Sequence, residues 1–254
     1  MLESYIRSRL RKKDILLMTH LVLGYPSFDD SFEIIREMVA SGVDLIELQV
    51  PFSEPIADGP VILRANQRAL ERGATVQESL ELAERSAKTF DIPFLIMTYY
   101  NILFKYGTER FVHEMAGRGL QGAIVPDLPP EEGNAYLQAM EDHGLAPILI
   151  FSPTTTSERM AYLASFAKGF VYCVARKGVT GQDTRFSDEL RDYLSRCREA
   201  TPLPLALGFG VKQKEDIDFL KGKADIAVIG TQTIRIVEDQ GIPQAGRFIR
   251  GLRD

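Results

Sequence analysis

Eight short apolar runs, separated by segments of helical spacing, constrain this 254-residue chain more than any other feature. The runs lie at 15–21, 43–48, 93–98, 122–125, 146–150, 169–174, 203–207 and 226–229. Most are nearly continuous in apolar residues, the pattern of strands buried on both faces, as in a parallel sheet. The segments between them read as helices. Residues 31–41 carry Phe32, Ile35, Met38 and Val39 on one face. Residues 75–90 open on Thr75 with Glu78 three positions later, the spacing of a reciprocal capping box. Residues 108–118 repeat the cue, with Thr108 as the expected cap before Phe111, Val112 and Met115. Further helices are predicted at 130–143, 157–166, 187–199, 214–221, 232–237 and 243–252, and Gly42, Gly119, Gly144 and Gly222 stand where helices end. Eight strands in β-α alternation within this length predict a single (β/α)8 TIM barrel. A doubly wound open sheet would carry a glycine-rich turn after its first strand, and Gly24-Tyr25-Pro26 is not that turn. No linker or low-complexity stretch divides the chain, so residues 1–254 are expected to form one domain. A short amphipathic helix, with Tyr5, Ile6 and Leu10 on one face, is expected to precede the first strand.

Composition narrows the function. The net charge of −5 and the scattered basic residues argue against nucleic-acid or anionic-membrane binding. No apolar run reaches membrane-spanning length, and the first thirteen residues lack the apolar segment of a secretory signal. Cys173 and Cys197 have no metal-type spacing and read as thiols of a reducing cytoplasm.

In a barrel, chemistry gathers at the C-terminal ends of the strands and in the loops after them. The loops after strands two and six, 50–61 and 175–186, are the long ones, and they are expected to close over a bound ligand. Between residues 44 and 60 the chain reads DLIELQVPFSEPIADGP. Strand alternation puts Val43, Leu45 and Glu47 on one face and the larger aliphatics Ile46 and Leu48 on the other, so Glu47 should point into the barrel mouth. A carboxylate there suits proton transfer. Asp58, before Gly59-Pro60, reads equally as a second acid or as the cap of the following helix. Glycines recur after strands six to eight, in Lys177-Gly178-Val179-Thr180-Gly181, in Gly208-Phe209-Gly210 before Lys212, and in Gly230-Thr231. Backbone N–H groups at such strand ends, with a helix N-terminus, make an anion site that suits a phosphate. Met97, Tyr99, Ile124, Tyr172 and Phe209 could form a flat apolar slot. Of the three histidines, His113 and His143 fall on helices and read as surface residues. His20, at a strand end, is the one candidate for the pocket. No metal site is indicated. These residues imply acid–base chemistry on a phosphorylated small molecule without naming it.

The run IELQVPFSEPIADGPVILRANQRAL, residues 46–70, resembles the signature of the tryptophan synthase alpha subunit family. The resemblance continues through residues 23–26 (LGYP), 97–101 (MTYYN), 126–129 (PDLP) with Glu131-Glu132, 176–181 (RKGVTG) and 208–210 (GFG). It implies a (β/α)8 barrel that cleaves indole-3-glycerol phosphate by retro-aldol reaction and passes indole to a PLP-dependent beta subunit, in an alpha2beta2 assembly. It implies no cofactor in the alpha chain itself. By motif, Glu47 would be the acid–base residue and Asp58 would accept from the indole N–H. Gly181, Gly210, Gly230 and Thr231 would hold the phosphate, while Tyr99, Ile124, Tyr172, Thr180 and Phe209 would line the indole slot.

Four positions depart from the family pattern. Gln49 stands in place of Gly, Glu54 in place of the Asp of the P-F-S-D-P run, His20 in place of an aromatic or apolar residue, and Thr231 in place of Ser. Two other settings fit the same residues: a free-standing indole-releasing lyase, and a catalytically impaired subunit that mainly activates a beta partner.

Overall fold

The computed structural model describes residues 1–175, 188–208 and 210–253. Its strands are β1 (Leu16–Val22), β2 (Leu45–Gln49), β3 (Phe94–Met97), β4 (Gly122–Ile124), β5 (Ala146–Phe151), β6 (Val171–Val174), β7 (Leu205–Gly208) and β8 (Ile226–Ile229). They close into one barrel in chain order, with β8 pairing back onto β1. Every pairing is parallel. The predicted strands and the barrel are therefore present, with shifts of a residue or two at their ends.

The helices are α1 (Leu2–Leu10), α2 (Phe28–Ala40), α3 (Pro60–Glu71), α4 (Val76–Thr89), α5 (Tyr100–Tyr106), α6 (Thr108–Gly117), α7 (Asn134–Asp142), α8 (Ser157–Ala164), α9 (Asp188–Ala200), α10 (Lys214–Leu220), α11 (Thr231–Gln240) and α12 (Ile242–Gly251). Thr75 and Glu78 form the expected capping box at α4. Thr108 does not cap α6: it is the first helical residue, and Gly107 at φ 93° occupies the cap. The helix expected over 130–143 is split. Pro130–Glu132 forms a single 3₁₀ turn, and Gly133 resets the backbone before α7. The short α5 carries no local polar cap. Its first N–H, that of Tyr100, donates instead to the Asp127 carboxylate at 2.9 and 3.1 Å, from the loop after β4.

Alternation along the strands builds two cores. Leu16, Met18, Leu45, Leu95, Phe170, Ala206 and Ile226 fill the barrel interior. Leu17, Leu21, Ile46, Leu48, Phe94, Ile96 and Leu207 pack outward against the helices. Val43 joins the outer set because the strand begins only at Leu45. Helix α1 closes the N-terminal end of the barrel. Its Leu2 and Ile6 are buried in the interior cluster, with Tyr5 and Leu10 packed against it. Asp44, just before β2, is fully buried and accepts from the Leu17 N–H at 3.0 Å and from Lys13 Nζ at 2.5 Å. That pins the start of β2 and leaves the other end of the barrel open. Among the described residues, no helix is long and apolar enough to cross a membrane.

Candidate active site

Glu47 is the central residue of β2. Its neighbours Ile46 and Leu48 point to the helices, so Glu47 and Gln49 follow Leu45 into the barrel. The side chain is almost wholly buried, with 4% of its residue surface exposed. Oε1 lies 3.1 Å from Nδ1 of His20, a hydrogen bond in which the Nδ1–H donates whenever the carboxylate is ionised. Oε2 has no partner among the described residues. The acid thus has one oxygen held and one available to a ligand.

Asp58 reaches the same space from the loop between β2 and α3. Two contacts fix that loop. The Phe52 N–H donates to Asn66 of α3 at 2.9 Å, and the Ala57 N–H donates to the Tyr99 hydroxyl at 3.1 Å. Asp58 Oδ2 then accepts from the Tyr99 hydroxyl at 3.0 Å and from the Gln49 amide at 2.7 Å. Helix α3 is capped by Gly59, without a side-chain cap bond. Of the two readings of Asp58, the helix cap is therefore not the one the fold adopts. Burial pushes the Asp58 carboxyl up from its ordinary value, partly offset by His20, Gln49 and Tyr99 and reinforced by the charge of Glu47.

Both acids line a cavity of about 360 Å³ at the C-terminal end of the barrel. Its apolar wall comes from successive strand ends: Met97, Ile124, Ile150, Tyr172, Val174 and Val228. Tyr172 is seated by a missing side chain, because a Cβ at Gly208 would fall 2.9 Å from its ring and hydroxyl. Burial, with the charges of Glu47 and Asp58, holds the Tyr172 phenol well above its ordinary pKa. It is a neutral donor and an apolar face, not a base.

The far wall has the chemistry to take an anion. Gly230 caps α11 without a side chain and Thr231 opens the helix, so the N-terminal turn of α11 borders the cavity. Gly210 lines it at φ 84°, a left-handed conformation that favours glycine. Lys212 and Arg235 line the same side.

Of the residues singled out in the sequence, Glu47, Asp58, Ile124, Tyr172, Gly210, Gly230 and Thr231 meet around this cavity, and His20 joins them. Tyr99 does not line it. It is fully buried behind Asp58, stacked on Phe52 with ring centroids 5.2 Å apart. Thr180, Gly181 and Phe209 lie outside the described residues. His113 is exposed on α6, and His143 is exposed just past the end of α7. Sequence reasoning passed over Arg235 and the strand residues Ile150, Val174 and Val228. Arg235 had a signal, since it follows Thr231 by four and so shares its helix face. The apolar three look like any core residue until the barrel is closed. Cys173 and Cys197 are buried free thiols. Among the described residues no cluster of three or more His, Cys, Asp or Glu is arranged to hold a metal ion.

The family model described as tryptophan synthase alpha chain matches residues 7–248. A tryptophan synthase alpha chain of Desulforapulum autotrophicum is 65% identical, covering 99% of this chain and 100% of its own length. That of Syntrophotalea carbinolica is 62% identical, covering 100% of both. Among solved structures, a chain of tryptophan synthase from Mycobacterium tuberculosis superposes with a TM-score of 0.92 at 31% identity, covering 99% of this chain and 96% of that one.

Proposed function

This chain belongs to the tryptophan synthase alpha chain family, and on that premise we propose that Glu47 and Asp58 are the two acids of its lyase reaction. The enzyme cleaves indole-3-glycerol phosphate to indole and glyceraldehyde 3-phosphate in tryptophan biosynthesis, with a beta subunit as partner. The observation that carries the residue assignment is the cavity itself. Two carboxylates, each held by a neutral or cationic donor, share one apolar slot whose far wall is a helix N-terminus.

In this reading the indole ring lies among Met97, Ile124, Ile150 and Tyr172, and its N–H donates to Asp58. Protonated Glu47 gives its proton to the ring carbon that bears the glyceryl chain. Positive charge then spreads over the ring and is stabilised by Asp58. The Glu47 carboxylate next takes the proton of the glyceryl hydroxyl next to the ring. The carbon–carbon bond breaks as the aldehyde forms, its electron pair restores the aromatic ring, and Glu47 ends as it began, protonated. Tyr99 and Gln49 hold Asp58 in place. Gly210, Gly230 and Thr231 take the phosphate, with Lys212 and Arg235 supplying positive charge and Gly181 completing the set by its motif. Thr180 and Phe209 are assigned to the slot by the same resemblance.

We assign the alpha reaction to side chains alone and PLP to the beta subunit. The beta partner is placed against the rim where Ile56, 72% exposed in the loop after β2, and Phe104, 67% exposed on α5, present apolar surface. An alpha2beta2 assembly, a cytoplasmic setting and a single domain over 1–254 complete the reading. It is tested by measuring indole release from indole-3-glycerol phosphate with the purified chain, alone and with beta subunit. Slow release that rises sharply with the partner supports it. Rapid release unaffected by beta subunit would indicate a free-standing lyase, and no release in either case an impaired activator.

A further inference from the structure

Strands β1 and β2 pair with His20 directly opposite Glu47. Both side chains face the barrel interior, with 5% and 4% of their surface exposed. The imidazole therefore meets the carboxylate in a nearly dry setting, where a hydrogen bond is stronger than in water and costly to leave unmade. Two further atoms lack a hydrogen-bond partner among the described residues, Nε2 of His20 and Oε1 of Gln49, and the Gln49 amide lies close enough to His20 to favour its protonated form. Each supplies what the other lacks, an N–H from protonated His20 and a carbonyl oxygen from Gln49. The other end of the Gln49 amide is already committed to Asp58 at 2.7 Å.

We propose that His20 is a positioning residue for the lyase reaction, holding Glu47 through Nδ1 and, with Gln49, joining the two carboxylates into one hydrogen-bonded chain. The proposal rests on Glu47 being the proton carrier. The groups that face this chain are Glu47 and Gln49 from β2, Asp58 from the loop after it, Tyr172 from β6, and Lys212 and Arg235 across the cavity, with Tyr99 behind Asp58. Burial lowers the basicity of His20, but the charge and hydrogen bond of Glu47, the charge of Asp58 and the Gln49 amide outweigh it, so His20 stays above its ordinary pKa. Below that raised value the His20–Glu47 pair shares one proton, which keeps a proton at hand for the indole ring. Above it the pair is left with a bare carboxylate, and turnover falls. Through one cycle the pair gives a proton to carbon and recovers one from the hydroxyl, so its proton count is unchanged.

The test is the pH profile of kcat for His20→Asn and His20→Leu beside wild type and Glu47→Gln. An asparagine amide can still donate to Glu47 from the position of Nδ1 but cannot be protonated. Its kcat on the acid side should stay within about threefold of wild type, while the basic limb moves down by about one pH unit, a loss of about tenfold on the alkaline side. Leucine removes the donor and should lower kcat about 10- to 100-fold at every pH, with KM little changed. A wild-type kcat and pH profile in both His20 variants would overturn the proposal. A nitrogen-15 NMR titration gives a readout apart from activity: His20 should titrate above its ordinary value in wild type and lower in Glu47→Gln, and equal values would also overturn it. Turnover surviving Glu47→Gln would instead overturn the assignment of Glu47 on which the proposal stands.

Discussion

The Tyr99 hydroxyl donates to Asp58 at 3.0 Å from a ring that is itself fully buried and stacked on Phe52. The same oxygen accepts from the Ala57 N–H at 3.1 Å, so Tyr99 fixes both the acid and the loop that carries it. Tyr99→Phe keeps the ring stack and removes only these bonds. We expect kcat to fall about tenfold, the worth of one lost hydrogen bond to a charged group, with stability little changed. Steady-state kinetics and a thermal melt on the same variant check it. An unchanged kcat would mean that Asp58 needs no support from behind.

Asp58→Asn separates catalysis from folding. Burial raises the Asp58 pKa in the folded chain, so the folded state favours the protonated acid. The sign follows from linkage: its contribution to stability is fully present below the unfolded value of about 3.9 and is lost as pH rises through the raised folded value. At pH 7 the ionised side chain therefore opposes folding. Asparagine should lower kcat about 10²- to 10³-fold by removing the charge that faces the indole N–H. Calorimetry should find the variant at least as stable as wild type at pH 7, with that advantage shrinking toward pH 4. A large loss of stability at pH 7 would return Asp58 to a structural role.

Much of this was legible in the sequence because the signals were local. Strand and helix periods differ, and the capping box at Thr75 and the chain-reversing glycines mark boundaries by chemistry confined to a few residues. Glu47 was legible for the same reason, since alternation beside Ile46 and Leu48 decides which way it points. Asp58 was not, because Asp before Gly-Pro serves a cap or a site equally well. Contacts with Gln49 and Tyr99, nine and forty-one positions away in the chain, hold it at the cavity instead of at the helix start. Tyr99 itself looked like a slot residue, and its place behind the acid depends on how the loop after β2 folds over β3. Helix α5 was hidden likewise, its first N–H held by Asp127 from the loop after β4. The residues on 176–187 and Phe209 lie outside the described structure, so their roles rest on motif alone.

Arg235 follows Thr231 by one helical turn and lines the cavity beside the N-terminus of α11. Arg235→Ala should raise KM for the phosphorylated substrate about tenfold and leave kcat within about threefold, the pattern of lost ground-state binding. Inhibition by inorganic phosphate should weaken in parallel. An unchanged KM would remove Arg235 from the anion site.

Phe104 on α5 has 67% of its surface exposed and does not line the cavity that holds the acids. Phe104→Ala should leave the kcat of the isolated chain unchanged and reduce its stimulation by beta subunit about tenfold at subsaturating partner, as expected for an apolar anchor at an interface. Titrating the partner against indole release measures this. Full stimulation at the same concentrations would place the contact elsewhere on the rim.

The central claim is that Glu47 carries the proton, and Glu47→Gln tests it most directly, because the amide keeps the shape and still meets His20 through its oxygen. Single-turnover cleavage of indole-3-glycerol phosphate by the complex with beta subunit should slow at least about 10³-fold, while substrate affinity stays within a few-fold of wild type. Cleavage at a near wild-type rate would contradict the account.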